Sequence, residues 1–257
     1  MSLTDENGKM YHIALCKEDL QGAKYAIICG DPDRVPKIAE YLENPRALVF
    51  NREYNSWLGE LSGEKVVVMS HGIGGPSTAI MVEELIKLGV DTFVRVGTSG
   101  GIQMDVLPGD VVILNGAVRM EGTSKEYMPI EFPAVADFDV TAALKKAAES
   151  LGERYHLGIG QCKDSFYGQH SPESMPVSNE LTAKWEAWKR GGVLVSEMES
   201  ATLFVVCSTR RVRAGAVMLC VWNQERVNAG IIDESEHDTL PVIKTAVEAV
   251  RLLIENK

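Results

Sequence analysis

No stretch of the 257-residue chain approaches the roughly 20 consecutive apolar residues that a membrane-spanning helix needs, so no membrane partner is expected. The opening MSLTDENGKMYH is polar and acidic, where a secretory leader would be basic and then apolar; a cytoplasmic location is the expectation. Cysteine is scarce and unpatterned. Cys16, Cys29, Cys162, Cys207 and Cys220 are odd in number, show no CxxC spacing, and several sit in apolar runs. They read as reduced core thiols rather than as a disulfide framework. The scattered histidines lack metal-ligand spacing. Basic residues are outnumbered, 26 Lys+Arg against 36 Asp+Glu for a net charge of −10, which excludes the basic surface that nucleic-acid backbones require. A local cationic pocket for a small anion is compatible with that balance. Internal repeats, low-complexity tracts and linkers are also lacking, so residues 1–257 are expected to form one domain, at the upper edge of single-domain size.

The composition that remains, 45% apolar and 24% charged, is that of a globular protein. Strand patterns fall at residues 24–29, 66–70, 92–97, 110–115, 156–162, 193–195 and 214–222. Helical patterns fall at 34–43, 77–88, 139–151, 180–189, 197–210 and 239–255. In the second helix, Ser77 reads as the cap and Ile80, Met81, Leu85 and Leu88 as the buried stripe. Residues 47–61 read as a hairpin closing near Ser62-Gly63. The sheet is therefore expected to be mixed, in a layered α/β domain with helices on both faces. Two polar segments, 168–178 and 224–238, read as active-site loops.

Val195-Ser-Glu-Met-Glu-Ser-Ala201 is the most informative segment. It puts Glu197 and Glu199 either side of Met198 at the front of an expected helix. Residues at i and i+2 do not share a helix face, so amphipathicity does not ask for this pair. Carboxylates at a helix N-terminus are favoured by the dipole, and they can accept hydrogen bonds from sugar hydroxyls. Three further segments each end a short apolar run in glycine: Gly30-Asp31-Pro32-Asp33-Arg34 after Tyr25–Cys29, His71-Gly-Ile-Gly-Gly-Pro-Ser77 after residues 66–69, and Arg95-Val-Gly-Thr-Ser-Gly100 after residues 92–94. Ligands collect outside the carboxyl ends of strands in open α/β sheets, and Gly-rich turns offer N–H groups to anions.

Taken in order, GDPDR, HGIGGPS, RVGTSGG and SEMES resemble the uridine phosphorylases, within the broader family of nucleoside phosphorylases and nucleosidases. Asn51-Arg52-Glu53-Tyr54, Phe132-Pro-Ala-Val-Ala-Asp137 and Asp164-Ser-Phe-Tyr-Gly-Gln169 extend the likeness from His12 to the last helix. The resemblance implies a three-layer α/β domain with a central mixed, partly barrel-like sheet. It implies reversible phosphorolysis of uridine to uracil and ribose 1-phosphate in pyrimidine salvage, with inorganic phosphate as co-substrate and no organic cofactor.

Site residues follow by position. Gly30, Arg34, Arg52, Arg95 and Thr98 would hold phosphate; arginine suits this because its planar fork binds the anion bidentately. His12, Glu197, Met198 and Glu199 would hold ribose, and Phe166, Gln169, His170 and Asn223 the base. Arg95, Gln169 and Glu199 would carry the chemistry. His12 and Arg52 would reach a neighbouring subunit's site, making a homodimer the minimal unit and a trimer of dimers, a hexamer, the expected assembly. Glu53, Ser77 and the Ile73 carbonyl would hold potassium at that interface.

The chain departs from the family pattern at the base pocket. Ser171 stands two residues after Gln169 where an arginine is common, and Gln224 follows Asn223 where a second is common. His170, Arg226 or water are the expected substitutes. A purine nucleoside phosphorylase, a nucleosidase and a non-catalytic nucleoside-binding protein are the alternatives. Asn223 disfavours the first because an amide cannot be the acid that protonates a purine; Asp233 and Asp238 lie farther along the loop.

Overall fold

The computed structural model describes residue 4 and residues 8–256. Its strands are β1 (Tyr25–Cys29), β2 (Glu43–Asn51), β3 (Tyr54–Leu61), β4 (Glu64–Ser70), β5 (Thr92–Gly101), β6 (Val111–Met120), β7 (Ala134–Val135), β8 (Tyr155–Lys163), β9 (Val195–Glu197) and β10 (Arg213–Asn223). Its α-helices are α1 (Lys17–Leu20), α2 (Arg34–Ala39), α3 (Gly75–Leu88), α4 (Thr123–Tyr127), α5 (Phe138–Leu151), α6 (Phe166–His170), α7 (Ser178–Arg190), α8 (Ser200–Arg210), α9 (Gln224–Asn228) and α10 (Leu240–Glu255).

The run Tyr25–Cys29 is buried at every position because β1 lies in mid-sheet, parallel to β4 on one side and β5 on the other. Its side chains alternate between two cores. Ala26 and Ile28 join the cluster under α3 and α8, while Tyr25, Ile27 and Cys29 join the cluster under α2, α5 and α10. That period of two, with helices covering each face, is the three-layer arrangement. The sheet is mixed, and part of it closes. β5 pairs with β10, β10 with β6, β6 with β8, β8 with β9, and β9 again with β5. This five-strand barrel carries an open arm, β1–β4–β3–β2.

The closure explains why β5 runs to Gly101, beyond the expected end at residue 97. Gly100 and Gly101 face Ser196 and Val195 on one side and Trp222 and Asn223 on the other. A Cβ on Gly101 would lie 2.5 Å from Asn223 Nδ2, so only glycine fits there. The segment expected to be a turn after β5 is therefore strand, and Thr98 sits on it.

Other boundaries also move. Ser77 does not cap α3; the helix begins at Gly75, and the Ser77 hydroxyl donates instead to Glu53 Oε1 at 2.6 Å and to the His71 carbonyl. Met81, Leu85 and Leu88 of its stripe are buried as expected. Residues 47–61 take part in two hairpins, one turning at Arg52-Glu53 with Arg52 at φ 56°, the other at Ser62-Gly63. The expected loops are partly helical, containing α6 and a 3₁₀ turn at Pro172–Ser174 in one and α9 in the other.

Candidate active site

β1, β4, β5 and β10 run parallel, so their carboxyl ends meet at one edge of the sheet. A cavity of about 790 Å³ opens there. Of the sequence-derived site residues it is lined by Gly30, Arg34, Thr98, Arg95, Glu197, Met198, Glu199, Phe166, Gln169 and His170. Glu53 and Ile73 reach it as well.

Arg95 is the hub. It is 3% exposed; Nη2 donates to Glu199 Oε2 at 2.5 Å and Glu197 Oε2 at 3.3 Å, and Nη1 donates to His71 Nε2 at 3.1 Å. Gly97, two residues on, makes the close packing possible, since a Cβ there would sit 3.1 Å from the Arg95 guanidinium carbon. Arginine has no acceptor, so His71 must receive at Nε2 and carry its proton on Nδ1, which lies 3.2 Å from Thr78 Oγ1. Burial and the Arg95 charge both push the His71 pKa well down, leaving it neutral.

Two carboxylates share this one guanidinium. Burial opposes the Arg95 charge, but Glu199 and Glu197 outweigh it and raise its pKa. Burial raises the Glu199 pKa, with Glu197 adding to it and Arg95, the Gly74 N–H and Lys163 opposing. The directions agree once the charges are counted: one cation faces two anions, so it keeps its proton while Glu199 is left short of counter-charge.

Glu197 lies on β9, in extended backbone, rather than at the helix front. The reason is barrel pairing, with Cys162 of β8 opposite it. Its carboxylate accepts from the N–H groups of Glu199 at 2.9 Å and Ser200 at 3.0 Å, so it caps α8 from outside the helix. Glu199 accepts at Oε1 from the Gly74 N–H at 2.6 Å. Gly74 has φ 93°, a conformation that glycine adopts without strain. Arg34, largely buried, donates to the Val96 carbonyl at 3.2 Å, and burial lowers its pKa. Arg95 Nε is buried without a hydrogen-bond partner.

At the other end of the cavity, Phe166, His170 and Trp222 form an aromatic wall. The His170 ring lies 4.2 Å from Phe166 and 5.3 Å from Trp222 between centroids. Gln169 stands there with both amide atoms engaged. Oε1 accepts from Ser196 Oγ at 2.6 Å, and Nε2 donates to Gln224 Oε1 at 3.0 Å. Trp222 and Lys163 had no sequence signal, and Ser196, although inside SEMES, had no expected role. Each is a single residue on a strand whose partners are far away in the chain.

Asn223, Arg226, His12 and Arg52 are not brought to the cavity. Asn223 is 2% exposed and donates to the Gln103 and Val106 carbonyls at 2.7 and 2.8 Å, while its Oδ1 accepts from the Arg226 N–H and caps α9. In this placement it caps α9 and does not line the cavity. Arg226, one expected substitute for the missing arginines, is paired with Asp233 at 2.5 Å outside the cavity lining. His12 and Arg52 lie by the β2–β3 turn and do not line this chain's own cavity, although Glu53, next to Arg52, does. His12 Nδ1 is 2.6 Å from Glu84, its carbonyl accepts from Asn51 at 2.7 Å, and the Arg52 guanidinium lies 6.0 Å from the Tyr11 ring centroid. Tyr11, Phe50 and Ile73 are exposed apolar groups, at 51%, 63% and 79%.

A family model described as "Phosphorylase superfamily" matches residues 24–254. The chain belongs to this superfamily. It is 59% identical over 244 residues to a uridine phosphorylase of Treponema pallidum (strain Nichols), covering 95% of this chain and 94% of that one. It is 45% identical over 251 residues to a uridine phosphorylase of Escherichia coli (strain K12), covering 95% and 98%. A guanosine phosphorylase of Halorubrum lacusprofundi is 39% identical over 209 residues, 81% of each chain. Among the described residues, no helix is long and apolar enough to cross a membrane.

Proposed function

We propose that the protein is a pentosyltransferase that catalyses the reversible phosphorolysis of uridine to uracil and ribose 1-phosphate, in cytoplasmic pyrimidine salvage. The observation that carries the reading is the Arg95–Glu199–Glu197 cluster, facing a wall of Phe166 and Gln169 across one cavity. Relatives named uridine phosphorylase, matched over nearly their whole length, support it. An oxygen of inorganic phosphate attacks ribose C1′ while the C1′–N1 bond breaks, and its electron pair passes to the uracil ring, delocalised over O2 and O4. Little covalent chemistry is asked of the protein, so positioning and charge do the catalysis.

Arg34 and Arg95 hold the phosphate, with the Gly30 N–H and Thr98 hydroxyl beside them. Glu199 accepts from the ribose 2′- and 3′-hydroxyls through lone pairs left over from Gly74 and Arg95. Met198 lies against the sugar as a soft apolar surface. Phe166 stacks on uracil. Gln169 keeps one unused N–H and one unused lone pair, which match uracil's carbonyl and N3–H. A purine reading is not favoured: Asn223 has no transferable proton and is engaged as a cap, and Asp233 is paired with Arg226. The deciding experiment follows uridine loss by ultraviolet absorbance with and without phosphate. Loss is expected only with phosphate; equal rates would point to a nucleosidase, and none to a binding protein.

His12 and Arg52 do not line their own cavity, and we assign them to a partner's: Arg52 to phosphate, His12 to the ribose 5′-hydroxyl. The minimal active unit is then a dimer, built into a trimer of dimers. Glu53, Ser77 and the Ile73 carbonyl form an all-oxygen set suited to potassium; the Ser77 hydrogen bond helps hold the Glu53 carboxyl low in pKa, hence charged. Three oxygens fall short of a full shell, so a second copy would complete it. Mixing His12→Ala with Glu199→Ala subunits, under exchange in potassium or in choline salts, is expected to restore activity to some sites. A fully active monomer would remove the proposal.

A further inference from the structure

Lys163 ends β8 with 5% of its surface exposed and lines the cavity together with Phe166, Gln169 and His170. Among the described residues it forms no ion pair. Its ammonium donates to Ser196 Oγ at 2.7 Å, and Ser196 Oγ lies 2.6 Å from Gln169 Oε1. Burial pushes the Lys163 pKa down, opposed at longer range by Glu197 and Glu199. A second cavity of about 310 Å³ lies on the far side of Lys163 and Gln169, bounded also by Gln224. The Gln169 amide is thus a partition between two spaces. Packing cannot decide which way round it sits, since an amide has nearly the same shape either way.

The hydrogen bonds can decide. A lysine ammonium only donates. The Ser196 oxygen that receives from it keeps one hydrogen to give, and among the described residues Gln169 Oε1, at 2.6 Å, is the acceptor shown for it. Gln169 must answer with its oxygen, which sends its NH₂ to Gln224 Oε1. We infer that Lys163, acting through Ser196, fixes the orientation of the Gln169 amide and so makes this pocket select pyrimidines with an N3–H imide edge, uracil or thymine, against cytosine. At N3, uracil presents a donor to the fixed Gln169 oxygen. Cytosine presents an acceptor there, which only the reversed amide would meet. Lys163 is then a positioning residue for base selection. The inference rests on the proposed placement of the base against Gln169.

The test compares wild type with Lys163→Met, Lys163→Arg and Ser196→Ala. It reads calorimetric affinity for uracil over cytosine, kcat/KM for uridine over cytidine, and KM for phosphate. Lys163→Met and Ser196→Ala are each expected to lower both ratios by about tenfold or more, the scale of one reversed donor–acceptor pairing. Lys163→Arg, also a pure donor, is expected to keep most of the selectivity, and the phosphate KM is expected to hold throughout. Unchanged ratios in Lys163→Met and Ser196→Ala would overturn the inference, as would a loss in Lys163→Met confined to phosphate KM. If Lys163→Met fails to fold, Ser196→Ala alone decides. Base affinity does not need turnover, so a protein that selects uracil but never splits uridine would refute the catalytic reading and leave this one standing.

Discussion

Arg95→Met is expected to lower kcat/KM for phosphorolysis by about 10²- to 10⁴-fold and to raise the KM for phosphate, with a clear fall in the urea midpoint of unfolding. Removing one partner of a buried ion pair costs about 3–5 kcal/mol, because the charge left behind is desolvated and uncompensated. Here two carboxylates are left behind, Glu197 and Glu199, both nearly sealed from solvent. His71 loses the donor that fixes its Nδ1 tautomer as well. Arg95→Lys separates charge from geometry. An ammonium restores a positive charge but cannot offer the planar fork that meets His71 and both glutamates together, so it should recover stability more than rate. If Arg95→Met cost only stability, with phosphate KM unchanged in the folded fraction, the phosphate role of Arg95 would be lost.

How far each part of the molecule was legible depends on how local its cause is. The runs at residues 25–29 and 66–69 are buried on both faces in parallel pairing, and such strands read as continuous apolar stretches. The carboxyl-edge location of Gly30 and Arg34, just past the first of these runs, followed from that. Non-local causes were illegible. The continuation of β5 through Gly100-Gly101 has no apolar alternation, because it exists to close a barrel against β9 and β10, more than 90 residues away in sequence. The same closure draws Glu197 out of the expected helix and into β9. Asn223 reads identically as a pocket amide or a cap; only the Gln103 and Val106 carbonyls decide. Lys163 looks like an ordinary charged strand end until Ser196, 33 residues on, is seen to accept its hydrogen bond.

Glu199→Gln is expected to lower kcat/KM for uridine by about 10- to 150-fold, the loss of a charge-assisted hydrogen bond worth roughly 1.5–3 kcal/mol. The structure makes this harsher than a weakened acceptor. Both oxygens already face donors, the Gly74 N–H at Oε1 and Arg95 Nη2 at Oε2. A glutamine must turn its NH₂ toward one of them, losing a contact and adding a repulsion. Only part of the loss is therefore specific to ribose. That part is isolated with 2′-deoxyuridine, which lacks one proposed donor and should suffer the smaller drop. A drop of equal size for both nucleosides would mean that Glu199 does not read the 2′-hydroxyl. The pH profile gives an independent check. Burial raises the Glu199 pKa above the ordinary carboxylate value of 4.5, and its acceptor form is the ionised one. Activity must then fall as pH drops through that raised value, on an acid limb lying above 4.5. Phosphate also titrates on the acid side, but it does so in wild type and variant alike. The limb that disappears in Glu199→Gln is the one that belongs to Glu199; a variant with the wild-type limb intact would assign it to phosphate alone.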